Sequence, residues 1–153
     1  MRNYLKKIKR FFEFRKKNIK VWYPCNVYLS AKIGRNVSIG MFSEIGHNVV
    51  IGDNTRIGMG TFIPEGVIIG KNVFIGPRVV FSNDMYPPSI KSKWQPTLVC
   101  DNASIGANVS IRPGVIINKG ALVGMGSVVT KNIPENEIWA GVPCKKIRKK
   151  DDK

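Results

Sequence analysis

Residues 33–81 read IGRNVSIGMFSEIGHNVVIGDNTRIGMGTFIPEGVIIGKNVFIGPRVVF, with an apolar residue at every sixth place: Ile33, Ile39, Ile45, Ile51, Ile57, Ile63, Ile69, Ile75 and Phe81. Glycine follows at Gly34, Gly40, Gly46, Gly52, Gly58, Gly70 and Gly76, and a small or β-branched residue four places on, from Val37 through Ser43, Thr55 and Thr61 to Val79. A period of six fits neither the turn of an α-helix nor the alternation of an ordinary strand. It is the signature of an all-β hexapeptide-repeat parallel β-helix, in which three sides make one triangular coil of about eighteen residues. Coils stack at the strand spacing of about 4.8 Å, so each inward Ile or Val rests on its counterpart one coil away. Each buried side chain contributes about 1.5–3 kcal/mol, and stability accumulates only as coils stack. Asn36, Asn48, Asn54, Asn72, Asn102 and Asn108 recur in phase with the glycines, which assigns them to corners that need a residue tolerant of positive φ.

The rhythm resumes at Val99, Ile105, Ile111, Ile117, Val123 and Val129, and Pro134 is expected to end it. Between Phe81 and Val99 lie eighteen positions whose hexad sites are Pro87 and Lys93, neither of them a core residue. Ser82–Leu98 therefore reads as a loop thrown out of the prism. Because the separation equals one coil, the register is expected to resume on the same face. A loop of this length with no repeat of its own is usually functional. The chain thus divides into a basic amphipathic segment 1–20, a β-helix domain 21–134 carrying the loop 82–98, and a tail 135–153 anchored by Ile138 and Trp139.

The formal net charge of +15 resembles a nucleic-acid footprint until it is located. Residues 1–20 hold nine Lys and Arg against Glu13, and residues 144–153 hold six against Asp151 and Asp152, whereas 21–143 hold ten against seven acids. The excess sits on two tails that carry no nucleic-acid motif, so nucleic acid is not the expected partner. In the first tail Met1, Tyr4, Leu5, Ile8, Phe11 and Phe12 share one helical face, opposite Lys6, Lys7, Lys9 and Arg10. That helix reads as a cap on the open first coil, with a membrane-surface helix as the alternative. Neither a membrane span nor a signal-peptide core is expected. Cys25, Cys100 and Cys144 lack metal-ligand spacing, and with His47 as the single histidine no metal is expected. A reducing cytoplasm, with the inner membrane face open, is the expected location.

A β-helix has flat faces, so a small-molecule site must form where a loop or a second subunit closes a cleft. The stretch FSNDMYPPSIKSKWQPT supplies hydrogen-bonding groups in Asn83 and Asp84, stacking surfaces in Tyr86 and Trp94, and positive charge in Lys91 and Lys93.

The hexads, this excursion and the ending GVPCK resemble the hexapeptide-repeat acyltransferases, which transfer an acyl group from a coenzyme A thioester. The strings VVFSND, YPPS, WQPTLV and NASIGANVSI are similar to the branch that N-acetylates sugar nucleotides for surface glycans such as lipopolysaccharide or capsule. The resemblance covers about residues 33–148 and implies a left-handed coil, a homotrimer, and acetyl-CoA lying between adjacent prisms. It assigns Asn83 and Asp84 to the acceptor sugar, and places Pro88 where the family commonly has Arg, which leaves the sugar's identity open. It assigns Gly106, Ala107, Asn108, Gly124, Met125 and Gly126 to coils facing the pantetheine arm, and Lys131, Lys145 and Arg148 to the CoA phosphates.

Hexapeptide O-acetyltransferases use a histidine in or near this loop to deprotonate a hydroxyl, and residues 82–98 contain none. An amine with a pKa near 8 is already partly neutral and needs orientation plus the loss of one proton after attack. Asn83 is the expected orienting group, while Asp84 either orders the loop or takes the proton through water. His47 is the rival base. It precedes Asn83 by 36 residues, two coils, which places it on the same face but about 10 Å away. A surface role for His47 is therefore preferred. The expected activity is acetyl-CoA-dependent N-acetylation of a nucleotide-linked amino sugar. The alternatives are O-acetylation through His47 and a non-catalytic β-helical scaffold.

Overall fold

The computed structural model describes residues 12–150. It is a left-handed parallel β-helix of about seven turns, and its strands are short because each side of the prism must end in a corner. The first face stacks Lys20–Val21, Ser38–Ile39, Arg56–Ile57, Phe74–Ile75, Ser104–Ile105 and Leu122–Val123. The second stacks Asn26–Val27, Glu44–Ile45, Phe62–Ile63, Val80–Phe81, Ser110–Ile111 and Val128–Val129. The third stacks Lys32–Ile33, Val50–Ile51, Ile68–Ile69, Leu98–Val99 and Ile116–Ile117. All of these pair in parallel at the predicted spacing, Ile39 on Ile57 and Ile57 on Ile75 for example.

The second residue of each strand points inward, and Ile39, Ile45, Ile63, Ile75, Phe81, Ile105 and Ile117 are fully buried. So is the residue four places on, with Val49, Val67, Val79 and Thr55 excluding solvent as completely. Buried hydroxyls are satisfied by backbone carbonyls, mostly of glycine: Ser43 donates to Gly58 (3.0 Å), Thr55 to Gly70 (2.9 Å) and Ser127 to Gly124 (2.7 Å), while Thr97 donates to Arg112 (3.4 Å).

Corners alternate in chemistry. At the third corner, from third face back to first, asparagines in the left-handed region form a ladder in which each side-chain amide donates to the next carbonyl. Asn18 reaches Asn36, then Asn54, Asn72 and Asn102, at 3.0–3.2 Å. Asn48 and Asn108 also have positive φ, at the second and first corners. The first corner departs from the expected residue types, with Phe42 (φ 60°) and Arg78 (φ 56°) held in that region. The hexad glycines serve another purpose, since a Cβ on Gly76 would lie 2.7 Å from the Ala107 nitrogen of the next coil.

Two expectations need correction. Phe81 pairs with Ile111 on the second face, whereas Val99 pairs with Ile69 on the third, so the register resumes on the next face and not the same one. The excursion therefore lengthens the second corner, which consumes part of the eighteen-residue interval as an ordinary side. Stacking also runs past Pro134. Glu137–Ala140 continues the first face, with Ile138 and Trp139 on Leu122 and Val123, and Lys145–Lys149 folds back antiparallel on it. Of the amphipathic segment, residues 12–16 are helical and Phe14 packs against the core, while Phe12 is exposed. The apolar face from Met1 to Phe11 lies outside the described residues.

Candidate active site

The second corner, where the chain turns from second face to third, builds a column of polar side chains one coil apart: Ser30, then His47 and Asn48, then Glu65, then Asn83. The loop leaves the prism at Asn83. It returns through Gln95, whose amide donates to the Asn83 carbonyl (2.7 Å) and whose carbonyl accepts the Gly114 amide (2.7 Å), so Gln95 fills the corner's place in the backbone ladder. Among the described residues the Asn83 side-chain amide has no hydrogen-bond partner.

Asp84 is fully engaged by its own loop. Its carboxylate accepts the Ser89 hydroxyl (2.7 Å), the Ser89 amide (2.8 Å) and the Tyr86 amide (3.2 Å). These bonds, the Ser89 hydroxyl foremost, hold its carboxyl below the usual range. Such an acid is a weak proton acceptor and a good loop organiser. Lys91, at the start of the short helical turn Lys91–Lys93, is paired with Glu65 (2.6 Å), whose carboxyl is lowered chiefly by that bond. Lys91 therefore ties the loop to the prism as well as offering charge. Its ammonium lies 5.9 Å from the Trp94 ring centroid, and the Trp94 indole N–H is buried with no partner among the described residues. Tyr86 is exposed and Lys93 is free of ion pairs among the described residues. From the next coil Arg112 donates to Met85 Sδ (3.1 Å) and to the Thr130 carbonyl (3.0 Å).

His47 is exposed, two coils from Asn83 on the same corner. Its Nδ1 is 3.0 Å from Ser30 Oγ, and its ring lies against Tyr28 with centroids 4.1 Å apart. Ser30 Oγ also accepts the Asn48 amide (3.1 Å), and with a second lone pair and its own hydrogen it holds the ring through Nδ1 in either tautomer.

The residues assigned to the cofactor fall at the first corner. Gly106–Asn108 and Gly124–Gly126 stack on one another, the Gly126 amide donating to the Ala107 carbonyl (2.8 Å). Among the described residues the Ala107 and Met125 amides have no partner, so the corner offers two spare N–H groups one coil apart. Lys145 pairs in register with Ala140, beside Gly124, and Arg148 lies further along the same strand, opposite Ile138. Lys131 is placed elsewhere, on the second corner beside Asn132 and Pro113. Within one chain the loop residues and the residues assigned to the cofactor thus occupy opposite edges of the second face, about 15–20 Å apart for a six-residue side. Sequence reasoning missed Tyr28, Ser30, Glu65, Ser89 and Gln95. An eighteen-residue step from Asn48 to Ser30, or from His47 to Glu65, would have found two of them.

Among the described residues no helix is long and apolar enough to cross a membrane, and no group of three or more acids, His or Cys is arranged to hold a metal ion. Curated protein sequences give no match. Solved structures do. AntD, an N-acyltransferase from Bacillus cereus in complex with dTDP and 3-hydroxybutyryl-CoA, superposes with a TM-score of 0.79 at 25% identity, over 88% of this chain and 81% of that one. A maltose O-acetyltransferase from Clostridium difficile gives 0.61 at 26% identity, over 94% and 76%. The acetyltransferase domain of PglB from Neisseria gonorrhoeae, in complex with acetyl coenzyme A, gives 0.76 at 18% identity, over 93% and 66%, a likeness of fold. The bacterial transferase hexapeptide model (six repeats) matches residues 30–65, 50–83 and 96–131, more than half of the sequence, and the chain belongs to that family.

Proposed function

We propose that this protein transfers the acetyl group of acetyl-CoA to the amino group of a nucleotide-linked sugar, as a homotrimer, in surface-glycan synthesis. The observation that carries the reading is the loop at the second corner: it presents an unpartnered Asn83 amide, contains no histidine, and holds its one carboxylate in its own hydrogen bonds. Such a site suits an amine, which needs orientation more than deprotonation. The amine nitrogen attacks the thioester carbonyl carbon, the tetrahedral oxyanion collapses, the C–S bond breaks, and coenzyme A leaves as the thiol after the nitrogen has lost one proton. Asn83 orients the amine, and the spare amides of Ala107 and Met125 suit the amide-rich pantetheine arm. Lys145 and Arg148 lie near that corner for the cofactor's phosphates, whereas Lys131 belongs to the acceptor side.

Assembly follows from the separation of these halves. A ring of copies with the second face turned inward brings the first corner of one chain to the second corner of the next. The second face suits that arrangement with a run of exposed apolar groups, Phe62 and Val80, 41% and 44% exposed, and Phe42 and Met59 at its first-corner edge, although Phe74 on the first face and Ile68 on the third are exposed as well. The trimer thus completes a site that one chain leaves open.

The deciding experiment presents acetyl-CoA with a panel of nucleotide amino sugars and their hydroxyl analogues, with products read by mass spectrometry. Acetylation of an amino sugar with a rate that rises toward pH 8 is expected, because the neutral amine is the nucleophile. Acetylation of the hydroxyl analogues alone would favour the O-acetyl reading, to which the likeness to a maltose O-acetyltransferase gives some weight.

A further inference from the structure

We infer that the second corner on the N-terminal side of the loop receives the nucleotide of the acceptor, with its base against the Tyr28–His47 pair and its diphosphate at Lys91; this rests on the acceptor being a nucleotide-linked amino sugar. The column supplies three kinds of group in the order such a molecule needs. Asn83 is at the level of the sugar. One coil away Lys91 spends one of its three donors on Glu65 (2.6 Å) and keeps two for a diphosphate. Two coils away, about 10 Å along the axis, come His47 and Asn48, and three coils away Tyr28 and Ser30. A ribose and a diphosphate separate sugar from base over a comparable span.

The groups at the far end are set for a planar heteroaromatic edge. Ser30 holds the His47 ring through Nδ1 (3.0 Å) and leaves Nε2 with no partner among the described residues. Asn48 donates its side-chain amide to Glu65 (3.2 Å), which leaves its carbonyl oxygen as an acceptor on the same coil as that nitrogen. A ring nitrogen and an amide oxygen suit the hydrogen-bonding edge of a nucleobase, and the tilted Tyr28 ring, 4.1 Å from His47, adds an aromatic wall. Glu65 is neutralised by Lys91, so what Lys91 offers the diphosphate is its two remaining N–H donors and not a net charge. His47 is thereby a positioning and binding group at the nucleotide and takes no part in the proton transfer.

Calorimetric titration of the full-length protein with UDP, dTDP and GDP tests this, with acetyl-CoA as a separate ligand. At least one diphosphate is expected to bind the wild type. His47→Ala and Tyr28→Ala each weaken it about tenfold, while the acetyl-CoA affinity and the unfolding midpoint stay unchanged. With the amino sugar substrate, His47→Ala raises KM and leaves kcat near the wild-type value, and His47→Gln, which keeps a donor, recovers part of the loss. A wild type that takes up none of the three diphosphates, or a diphosphate affinity indifferent to both substitutions, overturns the inference. So does a kcat that collapses at constant KM, which would return His47 to the chemistry while the wild type still transfers acetyl to the amino sugar. Loss of diphosphate binding in the variants of a protein that transfers no acetyl group would instead uphold the nucleotide site and sink the proposed reaction.

Discussion

Asn83 and Asp84 are neighbours with opposite situations, one side chain unpartnered and the other wholly used. Asn83→Ala is expected to lower kcat/KM about 100-fold, the scale of a lost orienting contact, with no change in unfolding midpoint. Unaltered turnover would remove Asn83 from the site. For Asp84 the sign of the pH effect is fixed by its lowered carboxyl pKa. The folded protein favours the carboxylate, so its contribution to loop order is present above the ordinary pKa of an Asp and is lost as pH falls through the lowered value. Ser89→Ala removes the strongest of its bonds and should return the carboxyl toward the ordinary range, so that the loop loosens at a higher pH. Carboxyl-carbon NMR titration of Asp84 reads this directly, and a titration identical to the wild type would contradict it. The sequence displayed both residues and the missing loop histidine. It did not display that Ser89 captures Asp84, because a contact across a turn depends on where the loop's backbone goes.

At the scale of the element, each corner is a separate solution to the same turn. The third corner uses asparagine twice over, for its tolerance of positive φ and for a side-chain amide that repeats along the axis. Asn54→Ala loses both ladder bonds and forces an alanine to φ 59°, so a loss of about 2–3 kcal/mol is expected in urea unfolding. Asn54→Gly keeps the turn and should cost clearly less. Equal losses would show that the ladder, not the backbone conformation, carries the effect. The inward row is less forgiving. Ile57→Asp buries an unpaired carboxylate between Ile39 and Ile75 and is expected to cost more than about 4 kcal/mol, enough to abolish the cooperative far-ultraviolet transition. The sixfold period made this row legible, since a repeated core residue leaves a repeated letter. The loop's return to the third face was not legible: an eighteen-residue gap is compatible with either face, and only the pairing of Val99 with Ile69 distinguishes them.

For the whole molecule, the central expectation is that a working site takes half its residues from each of two copies. Phe62→Glu places a charge on the apolar part of the second face, and light scattering is expected to find folded, inactive monomers. A more specific test mixes two inactive variants after co-refolding, Asn83→Ala on the acceptor side and Ala107→Trp at the cofactor corner. Mixed trimers contain seams where both contributing edges are intact, so activity should recover to a fraction of the wild type. Failure to recover, with mixed trimers verified by mass, would mean that both edges act within one chain. The basic excess belongs to this scale too. Its described parts lie at opposite ends of the column, residues 12–20 at the first coil and 145–150 on the last strand, so these parts do not combine into one charged patch along the prism.

The sequence by itself determined the stacked prism, its inward Ile and Val rows, the asparagine corners and the position of the one excursion. A repeating fold writes each contact into the chain at a constant interval, so those contacts are local in phase even when distant in number. Tertiary structure alone decided which face the chain rejoins after the loop, the continuation of the first face beyond Pro134, the separation of Lys131 from Lys145, and the column that links Ser30, His47 and Glu65 beneath Asn83. These depend on how an irregular segment closes in space, and an irregular segment has no period from which its path can be read.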